Sequence, residues 1–254
     1  MSGDTGRRIL VINPNTTEVM TDAIGAAART AVGAGTSTRA ISPTMGPASI
    51  ESHYDEALAV PGLLEVVRRA VATESADGFV IACFGDPGLD AVREVAAGRP
   101  VVGIAQGAMH IASLTGRSFA VVTTLSRTAG RAWDLAAAFG FDRRCVSVRA
   151  CEIPVLDLDD PSSDATTRIT EECHRAVVED GADCVVLGCA GMAGLCTRIQ
   201  SEVGVPVVDG VAAACGLVEI MLRMGVPGAA RGEFAEPRPK SYSGLLSGFS
   251  LPGH

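Results

Sequence analysis

The sequence predicts an α/β fold of two pseudosymmetric lobes, each a parallel sheet flanked by helices. Three observations lead to it. Short continuous apolar runs, among them ILVI at 9–12, FVIA at 79–82 and VVL at 185–187, have the length and composition of strands buried on both faces, and helical stretches alternate with them. The chain also repeats itself: ADGFVIACFGDPGL (76–89) lies over ADCVVLGCAGMAGL (182–195), setting Cys83 on Cys189 at an offset of 189 − 83 = 106. Finally, Gly98-Arg99-Pro100-Val101-Val102 recurs at the same offset as Gly204-Val205-Pro206-Val207-Val208, and the strand with polar turn at 9–17 recurs from Phe119. The repeat divides the chain into a discontinuous N-lobe (1–100 with 208–240), a C-lobe (101–207) and a tail (241–254).

In chain order, the run at 9–12 ends in Asn13-Pro14-Asn15-Thr16-Thr17, and a helix follows from Glu18 to about Thr30. Asn15 or Thr16 either caps that helix or presents polar groups at the carboxyl end of a strand, where open α/β sheets bind ligands. A strand at 37–41 precedes a Pro-, Gly- and Ser-rich loop at 42–50. A polar helix start covers 51–59, and Pro61 opens a longer helix to about 73. The strand at 79–82 delivers Cys83. A helix at 90–97, a strand at 100–104 and a helix at 106–114 complete the first half.

The second half starts with the strand at 119–122, which ends in Thr123-Thr124 before a helix carrying Trp133. A strand at 146–153, an acidic connector at 154–164 and an amphipathic helix at 166–180 follow. The strand at 185–187 delivers Cys189, and a long helix occupies 211–224. From Pro227 the composition turns to Pro, Gly and Ser, as expected of a tail laid along the surface or across a neighbouring subunit.

Composition removes several classes of function. Hydrophobic residues form 47% and charged residues 20% of the 254, which is a globular balance with a substantial core. Aromatics are 4% and the net charge is −8, so there is no basic face for a nucleic-acid backbone. No run approaches the roughly 18–20 apolar residues of a membrane span, and the first residues do not read as a signal peptide. The expectation is a cytoplasmic protein whose eight cysteines are mostly thiols. They form no CxxC pair, and the histidines at 53, 110, 174 and 254 give no ligand spacing with them. No metal site is expected.

Cys83 and Cys189 each stand between a buried strand and a glycine-containing turn leading to a helix. An ordinary thiol near pKa 8.5 is only about 3% ionised at pH 7, and a helix N-terminus at that place favours the thiolate. Amides around Phe84-Gly85 and Ala190-Gly191 would stabilise negative charge developing on a carbonyl. The plainer reading, two buried apolar cysteines, leaves their equivalence in the repeat unaccounted for. Lobes facing across a cleft bring the two sulfurs to one ligand, where one thiolate takes a proton and one thiol returns another. A bell-shaped pH dependence follows. Cys145, Cys151, Cys173, Cys184, Cys196 and Cys215 have no counterpart in the repeat and read as packing or surface residues. His53 beside the 42–50 loop is either solvated or near the ligand, and His110 is a core or interface histidine.

With MGPASIESHYDEALAVPGLL (45–64), IACFGDPGL (81–89), FAVVTTLSRT (119–128) and VLGCAGMAGL (186–195), the chain resembles the aspartate/glutamate racemase superfamily. Within it the likeness is to the hydantoin racemase branch, over almost the whole length. The resemblance implies an active site in the interlobe cleft, no cofactor, and Cys83 and Cys189 as the acid/base pair. It places Asn15, Thr16, Gly85, Thr123, Thr124, Ala190 and Gly191 along the site. Amino-acid racemases of the superfamily carry Cys-Asn-Thr at these turns. Here they read Cys83-Phe84-Gly85 and Cys189-Ala190-Gly191, which suits a neutral ring with carbonyls, with Phe84 bounding the 5-substituent. The expected activity is racemisation of 5-substituted hydantoins by a homo-oligomer. The alternatives are an allantoin racemase using the same cysteines and a non-catalytic ureide-binding protein. A decarboxylase of this fold needs only one such cysteine.

Overall fold

A computed structural model describes residues 6–159 and 163–250. The apolar runs form two parallel four-stranded sheets. Strands β1 (Arg7–Ile12), β2 (Thr36–Ile41), β3 (Gly78–Ile81) and β4 (Val101–Gly103) pair in the order β2-β1-β3-β4. Strands β5 (Phe119–Thr123), β6 (Cys145–Ala150), β7 (Val185–Leu187) and β8 (Val207–Val208) pair as β6-β5-β7-β8. The order is the same in both, and so is the register: Val80 faces Val102 in the first sheet, and Val186 faces Val208 in the second. Every residue of β3, β5 and β7 is buried. Parallel strands covered on both faces need this continuous apolar character.

The helices are α1 (Glu18–Ala31), α2 (His53–Ala72), α3 (Leu89–Val95), α4 (Ile104–Thr115), α5 (Ala129–Ala138), α6 (Ala165–Val178), α7 (Cys196–Val203) and α8 (Gly210–Met224). One apolar cluster joins the two sheets. Val11 and Val80 of the first and Val121 and Val186 of the second meet around Ala108 and Met109 of α4 and Ala214 and Val218 of α8. The small side chains of α4 and α8 let those helices lie close, and this shared core holds the lobes together. Each lobe has its own smaller cluster on the other face of its sheet.

Four local expectations need correction. Helix α2 runs unbroken from His53 to Ala72 with Pro61 inside it. An interior proline costs about 3 kcal/mol, but the apolar stripe Ala59, Leu63, Val66, Val67 and Ala70 is buried throughout, and the Ser52 hydroxyl accepts from the Asp55 N–H at 3.2 Å. Burying Leu63, Val66 and Val67 at roughly 1.5–3 kcal/mol each outweighs the proline. Ile104 opens α4 rather than ending β4, and β6 stops at Ala150. Ala190–Leu195 is a 3-10 run, and the α-helix after Cys189 begins only at Cys196.

The C-terminal segment lies along this chain's own surface. The Arg93 guanidinium sits 5.6 Å from the Phe234 ring centre and that of Arg68 lies 6.0 Å from Phe249. The end of the tail (251–254, with His254), the middle of the acidic connector (160–162) and residues 1–5 lie outside the described residues. Among the described residues no helix is long and apolar enough to cross a membrane.

Candidate active site

Both pivot cysteines stand just past the carboxyl ends of central strands. The Ala82 N–H donates to the Ile12 carbonyl (2.8 Å) and extends the β3–β1 pairing up to Cys83, whose own carbonyl accepts from Asp86 N–H (2.9 Å) in a tight turn. In the other lobe, the Gly188 N–H donates to the Val122 carbonyl (2.8 Å), and the Cys189 carbonyl accepts from Met192 N–H (3.1 Å). The equivalence read from the repeat is therefore an equivalence of backbone construction. All eight cysteines are thiols, and Cys83 and Cys189 are half-buried, as is Cys196, while the other five are buried. Cys83 and Cys189 line a single cavity to which both sheets contribute; none of the other six does.

Of the residues expected at the site, Asn15, Phe84, Gly85, Thr123, Thr124 and Ala190 line this cavity with the two cysteines. Asn15 is buried and does not cap α1, whose cap position is Thr17. Its side-chain oxygen accepts from Asn13 Nδ2 (2.8 Å) and Thr17 N–H (2.9 Å), and its amide nitrogen rests on Met20 Sδ at 3.3 Å. A thioether is a weak acceptor, so the Asn15 amide keeps donor capacity for a ligand carbonyl. The Thr123 hydroxyl lies 3.2 Å from that of Thr128.

Thr16 and Gly191 are not brought to the cavity wall. The Thr16 N–H and hydroxyl both donate to the Pro47 carbonyl, at 2.9 and 3.3 Å, so Thr16 fastens the 42–50 loop instead. Gly191 faces Leu158, whose Cδ1 lies 3.0 Å from where a Cβ would stand. His53 is exposed at 82%, with Nδ1 3.8 Å from Glu56 Oε2, and does not line the cavity. His110 is on the surface rather than in the core. Its ring meets Phe141 edge-on at 4.9 Å, and Nδ1 lies 2.7 Å from the Gln106 carbonyl oxygen.

Three charged residues at or beside the site carry no sequence signal of their own. Arg131, on α5, donates from Nε (3.0 Å) and Nη2 (2.8 Å) to the Gly85 carbonyl. Glu56, on α2, stands 3.7 Å from the same guanidinium and packs so tightly on Gly85 that any Cβ there would collide with its Oε1. Both line the cavity, as do Ser52 and Val155. Behind the Cys83 turn, buried Asp86 accepts from the N–H groups of Ala105 (3.1 Å) and Gln106 (2.9 Å), capping α4 from another element.

These surroundings set the ionisation of the site. Burial pushes the Cys83 thiol up to about 12; the Gly85 N–H donated to the sulfur works against this, while Cys189, Glu56 and Asp86 add to it. The thiolate-favouring helix end expected at Cys83 is not there, because α3 begins only at Leu89. Burial also raises Glu56, opposed by Arg131 and His53. It takes Asp86 up to about 7 against the pull of the Gln106 and Ala105 amides. Among the described residues no three His, Cys, Asp or Glu side chains are grouped to hold a metal.

Comparison with known proteins finds relatives along almost the whole chain. Residues 9–218 match the family model described as Asp/Glu/Hydantoin racemase. A hydantoin racemase of Rhizobium meliloti is 44% identical over 236 residues, spanning 93% of this chain and 97% of that protein. A second, from Pseudomonas sp. (strain NS671), is 42% identical over 242 residues, 95% of this chain and 96% of its own. Among solved structures, an allantoin racemase from Klebsiella pneumoniae superposes with a TM-score of 0.92 at 45% identity, covering 96% of this chain and 99% of that one.

Proposed function

The chain belongs to the Asp/Glu/hydantoin racemase family and is an isomerase, and on that premise we propose that it inverts C5 of a 5-substituted hydantoin by proton transfer between Cys83 and Cys189, with no cofactor. The observation that carries this reading is the pair itself: two repeat-related thiols, one from each sheet, lining one cavity. The C5 proton of a hydantoin is acidified by the adjacent C4 carbonyl, so a thiolate is base enough. In the forward step the C5–H bond breaks, an S–H bond forms, and the electron pair moves into an enolate on the C4 oxygen. The partner thiol then gives its proton to the other face of C5 and is left as thiolate. The Asn15 amide and the Thr124 hydroxyl are the donors suited to the enolate oxygen.

The high Cys83 pKa has a mechanistic consequence. The enzyme with an empty site rests with Cys83 protonated, and the reactive form carries one thiolate between the two sulfurs. Phe84, buried beside Cys83, bounds the substituent pocket.

A second reading, allantoin as the substrate, is supported by the 45% identity to the Klebsiella allantoin racemase. It is also supported by Ser52, Glu56, Thr128 and Arg131 in the cavity wall, polar groups that suit a ureide substituent. Circular dichroism of single enantiomers of 5-benzylhydantoin and allantoin separates the readings. Loss of signal with wild type, and none with Cys83→Ser or Cys189→Ser, is expected for the preferred compound. A wild type that binds either compound and leaves its signal unchanged would make the protein a ureide binder and overturn the proposal.

A further inference from the structure

The two lobes are tied beside the cavity at two places. Glu51 Oε1 accepts from the Val155 N–H at 2.7 Å, joining the loop before α2 to the second lobe. Arg131 makes the other tie. Its helix, α5, follows β5 of the second sheet, yet its two donors converge on the carbonyl of Gly85 in the first. That carbonyl lies two residues beyond Cys83, and the Gly85 N–H is the group donated to the Cys83 sulfur. On its other side Gly85 is pressed by Glu56, which also faces Arg131 at 3.7 Å. The turn that carries Cys83 is thus gripped between a carboxylate of its own lobe and a guanidinium of the other.

We infer that Arg131 is a positioning residue, which holds the Cys83 turn from the opposite lobe and sets the reach of that sulfur toward C5, with Glu56 orienting the guanidinium. The inference rests on the racemase reading above. The two-donor fork matters because only a planar guanidinium holds one carbonyl oxygen from two directions, whereas a single ammonium leaves the turn a direction in which to swing. Cys189 follows β7 of the second sheet, the sheet from which α5 also descends, and both Arg131 donors go to Gly85 on the Cys83 turn. Loosening Arg131 therefore disables one of the two bases and spares the other.

This asymmetry separates positioning from a general structural role. Racemisation must fall equally in both directions, since the two enantiomers have equal free energy. Exchange of the C5 proton with solvent need not. The enantiomer deprotonated by Cys189 still loses its C5 proton, and after the thiol exchanges with D2O it recovers a deuteron on the same face, without inversion.

The experiment follows C5 deuteration and inversion together, by NMR in D2O and circular dichroism. It uses wild type, Arg131→Met and Arg131→Lys with both enantiomers of 5-benzylhydantoin and of allantoin. For Arg131→Met the expected result is a fall of about 100-fold in racemisation, the scale of a roughly 1 Å misplacement, with KM for 5-benzylhydantoin changed less than about threefold. Exchange of one enantiomer stays within about threefold of wild type. Arg131→Lys, keeping one donor, recovers about tenfold of the loss. Equal losses of exchange in both enantiomers, or no loss at all, would overturn the positioning role; if Arg131→Met does not fold, Arg131→Lys shows the same asymmetry or its absence. A wild type that exchanges neither compound overturns the racemase reading itself, and the positioning role with it.

Discussion

Replacing Gly103 with alanine tests how the site is braced from behind. The Gly103 backbone is extended, at φ −83 and ψ 154, so alanine meets no conformational obstacle, and stiffening the unfolded chain would by itself stabilise by about 0.4–1 kcal/mol. The side-chain space is another matter, because the place of a Cβ coincides with the Asp86 carboxyl group. Asp86 must leave, and the Ala105 and Gln106 amides lose an acceptor at 3.1 and 2.9 Å. Hydrogen bonds to a charged acceptor contribute about 1.5–3 kcal/mol each, so about 3–6 kcal/mol is lost, part of it returned as the carboxylate regains water. A net destabilisation of about 3 kcal/mol lowers Tm by about 6–12 °C for a chain of this size. Thermal unfolding of G103A, D86A and the double variant checks both size and cause. Once the carboxyl is gone the added methyl has nothing to displace, so the double variant should match D86A to within about 0.5 kcal/mol. A G103A protein within 2 °C (roughly 1 kcal/mol) of wild type, or a double variant showing simple additivity, refutes the reasoning.

Other predictions concern pH and packing. The Asp86 pKa is raised in the folded state, to about 7, so the native form binds more protons than the unfolded one between the ordinary carboxyl range and neutrality. Stability from this group is whole below about pH 4 and is lost as pH rises through 7, on the order of 4 kcal/mol in all. Urea unfolding at pH 4.5 and 7.5 should show that Asp86→Asn removes this fall relative to wild type. With Cys83 up at about 12 and raised in part by Cys189, Cys83 is the second sulfur to lose its proton and sets the alkaline limb of the expected bell. In that case kcat/KM holds up to about pH 9, and a fall between about pH 7 and 9 would contradict the assigned ionisation. Leu63 is fully buried on the stripe that carries α2 past Pro61. Leu63→Ala should cost about 2–5 kcal/mol in urea unfolding and weaken the seat of Glu56.

Much of this fold was legible in the sequence because buried parallel strands write themselves as unbroken apolar runs, and because the repeat shows the design twice. The offset that set Cys83 on Cys189 also sets the register, with Val80 on Val102 and Val186 on Val208. Adjacency was a poorer guide. Thr16 and Gly191 neighbour residues that line the cavity, but a turn sends successive groups in different directions, to the Pro47 carbonyl and to Leu158. Glu56 and Arg131 could not be singled out, since their meeting over Gly85 depends on how α2 and α5 pack and on no local pattern. The ionisation of Cys83 departs from the expectation for a related reason. A glycine turn suggests exposed amides, whereas burial in the folded chain, which no short segment encodes, dominates the result.

The central claim is that the two thiols serve opposite faces of one carbon, and deuterium exchange at C5 tests it most directly. NMR in D2O would follow both enantiomers of 5-benzylhydantoin, and of allantoin, with wild type, Cys83→Ser and Cys189→Ser. The account predicts that each variant loses racemisation while retaining exchange of one enantiomer, a different one in each case. Racemisation surviving in either variant, or exchange of the same enantiomer in both, would contradict it.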